Sequence, residues 1–170
     1  LFNGLQNYNN IQQNKTNVLS SKFDLAAQKN DISLSIVNAY MQVLFSKELV
    51  KIAGDQVNAT QQQLEKTEQF VNVGKKSESD LLQIKSQLAS DKLALINTQG
   101  QLKTNRLILQ QAMNISITSD FEIEYPASID PSLIELNNSK ETFTQALFTQ
   151  PSIKASALKT QSVECSIKIA

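Results

Sequence analysis

Few residues in this chain are equipped for chemistry, and none of them is grouped for it. There is no His. A protein without His lacks the usual general base, the Ser–His and Cys–His nucleophile pairs and the commonest zinc ligand. The one cysteine, Cys165, permits no internal disulfide. It stands beside Val163 and Ile167 with no cationic cluster to activate a thiolate, so it reads as a small apolar residue rather than a nucleophile. Four carboxylates, Glu65, Glu68, Glu78 and Asp80, lie close enough in sequence to imitate a metal site. Lys66, Lys75 and Lys76 are interleaved with them, and a solvated, mixed-charge helix end explains the pattern better. Ser77 and Asp80 have the three-residue spacing of a helix capping box. No set of nucleophile, base and orienting group can be assembled. Neither an enzyme nor a cofactor or metal site is expected.

The elements that carry these residues are legible in the composition. Lys and Arg number 16 and Asp and Glu number 16 among 170 residues, a formal charge of zero. A nucleic-acid partner would need a positive field. Side-chain amides are abundant, with 19 Gln and 15 Asn, while Gly is 4 and Pro is 3. Few chain breakers and many uncharged polar groups point to extended helix. Aromatics are only 6% and Trp is absent, which suits helix-on-helix seams better than a thick globular core. The longest unbroken apolar run is Leu93–Ile96, against the ~20 residues of a membrane-crossing helix. No basic-then-apolar leader opens the chain. It begins at Leu1 without Met and ends inside a helical pattern that has no stop signal. A mature form or an excised piece is expected from the start, and a cut from the end.

The breakers divide the chain. No proline precedes Pro126. Gly74 follows an apolar stretch and suits the left-handed position just past a helix end. One helix is expected from about Leu5 to Val73, roughly 100 Å long, and a second from about Ser79 to Met113, roughly 50 Å long. The short turn makes them antiparallel neighbours.

Periodicity supports a hairpin. Ile36, Val43, Val50, Val57, Leu64 and Val71 recur every seven residues. Three places after each come Ala39, Ser46, Ala53, Thr60, Thr67 and Gly74. Large and small residues thus alternate along one seam. In the second helix Leu81, Leu88, Leu95, Leu102 and Leu109 keep the same interval, with Leu95 expected at the centre of the seam. Ile11, Val18, Leu25 and Ile32 have that spacing too, and the four-residue step from Ile32 to Ile36 reads as a stutter. A DNA-binding zipper would need a dense basic region, and residues 57–80 offer only Lys66, Lys75 and Lys76.

After Met113 the pattern changes. Ile115, Ile117, Phe121, Ile123 and Tyr125 mostly alternate with polar residues, which suits a short extended segment. Pro126 and Pro131 bracket a turn-rich connector. Asn138 and Glu141 are placed to cap a short helix through Phe148. Pro151 suits the first turn of a last helix, Ser152 to Ala170, which carries Ile153, Ala157, Val163 and Ile167. The chain is thus expected to be all-α. A long antiparallel coiled-coil hairpin fills residues 1–114, an irregular connector 115–138, and a short helix and a further helix 139–170.

Several segments resemble the TolC-type outer-membrane efflux proteins. Leu1-Phe2-Asn3-Gly4 is similar to the stretch that follows a membrane β-hairpin in that family. Ala39-Tyr40 with Leu44 is similar to its mid-helix pattern. Phe70-Val71-Asn72-Val73-Gly74 with Ser79-Asp80-Leu81-Leu82 resembles its periplasmic tip. Ala146-Leu147 through Pro151-Ser152-Ile153-Lys154-Ala155 resembles the start of its second internal repeat. The resemblance implies a trimer with an outer-membrane β-barrel and a long periplasmic helical tunnel. This chain would supply the periplasmic part of the first repeat, the equatorial connector and the first helix of the second repeat, without membrane contact of its own.

On the same resemblance the tip is the functional candidate. Asn72, Val73, Gly74, Lys75, Lys76, Ser77, Glu78, Ser79, Asp80 and Leu81 would meet the hairpin tip of a periplasmic adaptor protein. An inner-membrane transporter would be reached through that adaptor, and the conduit itself would be passive. Val73 and Leu81 would form an apolar pair at the end of the hairpin, rimmed by Lys75, Lys76, Glu78 and Asp80. Capping alone also accounts for Gly74, Ser77 and Asp80. The competing function is a structural coiled-coil module, such as an adaptor-like hairpin or a spacer. A plain spacer has no need of the Phe121–Tyr125 stretch and a helix restarted at Pro151. The amide-rich faces suit a water-filled conduit and equally suit the solvated side of any coiled coil.

Overall fold

The computed structural model describes residues 5–116, 123–125 and 138–169. Its elements are four helices: α1 (Gln6–Asn72), α2 (Glu78–Ala112), α3 (Ser139–Thr149) and α4 (Pro151–Ile169). No strand occurs among the described residues. The expected opening at residues 1–4, Ile117, Phe121 and the connector around Pro126 and Pro131 lie outside them. The fold falls into two compact units. One holds α1 up to Leu34 with α3 and α4; the other holds α1 from Ser35 with α2 and residues 123–125.

The second unit is the antiparallel hairpin. Each heptad position that the spacing placed in the seam of α1 is buried or half-buried from Ile36 to Val71. Val43 is fully buried and packs in one cluster with Leu109 and Ile123, flanked by Ile36, Ala39, Tyr40, Leu44, Leu102 and Met113. Leu88 and Leu109 are the buried leucines of α2; Leu81, Leu95 and Leu102 are half-buried. Leu95 is therefore a seam residue, but the deepest leucine is Leu109. The small positions of α1 close the seam from the other side. Ser46, Thr60 and Thr67 are all buried, and their short side chains let the two backbones approach.

Residues 123–125 are fastened to α1 by side chains rather than by a ladder. The Tyr40 hydroxyl donates to the Glu124 carbonyl at 2.9 Å. The Lys47 ammonium donates to the Ile123 carbonyl at 3.1 Å and lies 4.7 Å from the centre of the Tyr125 ring. The Tyr125 hydroxyl donates to the Glu48 carboxylate at 2.9 Å. That acceptor and its negative charge raise the Tyr125 pKa above its ordinary value.

In the first unit the packing is polar, contrary to the reading of Ile11, Val18, Leu25 and Ile32 as a continued seam. All four are exposed. The side of α1 turned to α4 carries Gln13, Asn17, Ser20 and Asp24 instead. Gln13 bonds the Ser166 hydroxyl. Ser162 donates to Asn17 at 2.6 Å, Ser20 to the Ala155 carbonyl at 3.3 Å, and Lys159 to Asp24 at 2.9 Å. Lys154 lies over the Phe23 ring. A seven-residue apolar interval marks a stripe on a helix, but the interval does not say which stripe meets a partner. On α4, Ile153, Val163 and Ile167 are likewise exposed, and Cys165 is half-buried. Pro151 is the first residue of α4, where its missing N–H costs nothing. Asn138 caps α3, its side chain accepting from the Lys140 N–H at 3.2 Å.

The large-to-small test separates these layers. Leu109→Ala, at a residue only 1% exposed, is expected to cost ~2–5 kcal/mol. Leu93→Ala, on the exposed side of the same helix, should cost under ~0.5 kcal/mol. Urea unfolding of the two variants measures the difference, and equal losses would put the seam in the wrong place.

Candidate functional site

The tip is built by two capping devices placed back to back. α1 ends in a Schellman motif. The Lys75 N–H donates to the Phe70 carbonyl at 2.8 Å and the Gly74 N–H to the Val71 carbonyl at 2.9 Å. The motif requires a left-handed residue between them, and Gly74 has φ +70°. Nothing lies within 4 Å of where a Cβ would stand on Gly74, so the requirement is one of backbone torsion and not of space. α2 begins two residues after Lys76 with the expected capping box. The Asp80 N–H donates to the Ser77 hydroxyl oxygen at 3.2 Å, and the Ser77 N–H donates to the Asp80 carboxylate at 3.2 Å. The Ser77 hydroxyl also donates to that carboxylate at 2.9 Å. These bonds, with Lys76 adding a smaller attraction, hold the Asp80 carboxyl below its ordinary value. The far end of α2 repeats the device with Asn114 at φ 53°. There the Ile115 N–H donates to Gln110 and the Asn114 N–H to Gln111, both at 3.0 Å.

The residues singled out at the tip fall together, with one exception. Asn72 through Asp80 are all exposed, so Lys75, Lys76, Glu78 and Asp80 do rim the end. Val73 is 65% exposed. Leu81 is not its exposed partner. It is half-buried, because it opens the leucine series of the seam. The exposed apolar residue on that side is Leu82, at 66%, with Phe70 beside the turn at 45%. The heptad itself carried this distinction: a residue used to fill the seam is not also offered at the surface. Glu68 pairs with Lys85 at 3.6 Å across the hairpin, both well exposed. No grouping of three or more His, Cys, Asp or Glu that could hold a metal occurs among the described residues.

Fold and tip together define a two-helix antiparallel coiled coil with a tightly capped, partly apolar end. The chain belongs to the outer membrane efflux protein family, whose family model matches residues 1–114. That span covers both helices of the hairpin, α1 and α2, and the turn between them. No curated protein and no solved structure matches the chain. No helix among the described residues is long and apolar enough to cross a membrane.

Two measurements address the tip. Gly74→Val forces a β-branched residue into positive φ and should lower stability by about 1 kcal/mol or more, while Gly74→Asn should be milder. Thermal unfolding distinguishes them. Asp80 should titrate below 3.8 in an NMR pH series, and Ser77→Ala should move it back up. The sign follows from the lowered native value. The stabilisation is present above the unfolded carboxyl pKa and is lost as pH falls through the folded one.

Proposed function

We propose that this chain is a wall segment of a passive efflux or secretion conduit, the periplasmic helical section of an outer-membrane channel protein, and that its tip docks a periplasmic adaptor. Family membership supports a transport component of the outer membrane. The observation that carries the finer reading is a second apolar surface on each helix of the hairpin. On α1, Val37, Met41, Phe45 and Ile52 are exposed; on α2, Leu93, Ile96 and Leu107 are exposed. These residues stand outside the seam, where a hairpin that works alone would carry charged and amide side chains. Helices with two apolar surfaces pack between two neighbours, and repetition of that arrangement closes a ring of helices into a tube. The full-length protein would be a trimer, which fits the same surfaces. A spacer gains nothing from them. Export through such a wall needs no catalytic group, and energy would come from an inner-membrane transporter reached through the adaptor.

The tip reading rests on Val73 and Leu82 as an apolar pair at an otherwise polar end, suited to meeting another helical hairpin. The rim charges would set orientation more than affinity.

The experiment uses the full-length protein with its cognate adaptor. Phe45→Glu or Ile96→Glu should prevent trimer formation while the helical signal persists. Val73→Glu with Leu82→Glu should leave the trimer intact and abolish adaptor pull-down and drug resistance. Normal trimers and normal export with the first pair would return the chain to the spacer reading. Normal export with the second pair would make the tip a turn only.

A further inference from the structure

The seam of the hairpin contains two polar layers with no role in the reading above. In one, the Thr60 hydroxyl donates to the Asp91 carboxylate across the helices at 2.6 Å. In the other, the Asn105 amide donates to the Ser46 hydroxyl at 2.6 Å. All four residues are buried. Each layer is completed from one turn away along its own helices. Gln87 donates to the second Asp91 oxygen at 2.8 Å and Gln56 to the Thr60 hydroxyl at 3.3 Å. Gln101 donates to the Asn105 carbonyl oxygen at 3.0 Å, and Ser46 donates to the Gln42 carbonyl at 2.8 Å. The layers are two heptads apart on both helices, and the glutamines keep the same interval. The same device is built twice.

The apolar layers cannot by themselves choose a register. Val43 meets Leu109 in the core. If α2 slid by seven residues, Val50 would face Leu109, Val57 would face Leu102 and Leu64 would face Leu95, layers of the same kind. The polar layers do choose. A slip of α2 toward the tip by one heptad sets Asp91 against Thr67, which can still donate, but sets Asn105 against Ala53, which cannot pair. A slip the other way sets Asp91 against Ala53 and Asn105 against Ala39. Leaving a buried carboxylate or amide without its partner is costly, and a polar residue at a seam position is a known way to specify register. Thr98, in the layer between, bonds the Leu95 carbonyl of its own helix and so makes no demand on α1.

We propose that Thr60–Asp91 and Ser46–Asn105 are register pins, a conformational device that holds α1 and α2 in one antiparallel alignment and so fixes which residues reach the tip. The pins are unequal. Asn105 rejects both slipped alignments, whereas Asp91 rejects only one.

The inequality makes the test sharp. In the 170-residue chain carrying Cys165→Ser, spin labels are placed through Lys51→Cys and Gln83→Cys, both at exposed positions. Ser77→Ala is included in every sample to loosen the turn equally. Asn105→Leu should add a second population in which the label distance is longer by about 10 Å, the rise of one heptad. Asp91→Leu should keep the single native distance, because Asn105 still rejects both slips. A single native distance in Asn105→Leu, or the same behaviour in both variants, would overturn the proposal. So would loss of the helical circular dichroism signal in either variant, since the pairs would then be required for folding rather than for alignment.

Discussion

The structure depends on how closely two helices can approach along one line. On α1 that line alternates a branched residue with a small one, Val43 then Ser46, Val57 then Thr60, Leu64 then Thr67. Small residues bring the backbones together, and close approach is what lets hydroxyl and amide groups reach across the seam at hydrogen-bonding distance. Were the small positions filled by leucine, Asp91 and Asn105 would have no partners and the seam would be a plain zipper. The tip inherits the same constraint. A small separation can be bridged by a turn of a few residues, and the paired Schellman motif and capping box around Gly74 and Ser77 bridge it with backbone groups satisfied on both sides.

Much of the hairpin was legible in the residues. Interval and residue size together located the seam from Ile36 to Leu109, and Gly74 with Ser77–Asp80 located the turn to within a residue. Those signals are local and physical, a torsion that only glycine readily adopts and a cap that needs a hydroxyl and a carboxylate three apart. Three features were not legible there. Ile11, Val18, Leu25 and Ile32 have the interval of a seam but face outward, since a period defines a stripe and not its neighbour. Leu81 belongs to the leucine series of the seam and is half-buried, so it is not the surface residue expected beside Val73. Asp91 and Asn105 are buried although an acidic or amide residue in a helix is ordinarily solvated. Their signal was positional, a polar residue at the heptad place shared with Ile84 and Ala112.

The two units show how one helix can serve opposite chemistries along its length. From Ser35 onward α1 buries aliphatic side chains and exposes a second aliphatic surface. Before Leu34 it turns amides and hydroxyls toward α4 and leaves its aliphatic residues outside. Both parts of α1 therefore leave aliphatic side chains exposed, in a chain that belongs to the outer membrane efflux protein family.

The polar contact between α1 and α4 has a thermodynamic consequence. It is made mainly by Gln13, Asn17, Ser20, Asp24, Lys159, Ser162 and Ser166, with buried Ala155 and the half-buried Phe23 ring beside Lys154 as apolar exceptions. Separating such a surface exposes less hydrocarbon than opening the hairpin seam would, so the heat capacity of the chain should change less when this contact opens. The contact should therefore weaken gradually with temperature and respond weakly to denaturant. Exchange of its backbone hydrogens would report local opening at lower free energy than the hairpin seam, making this the region where the fold first loosens.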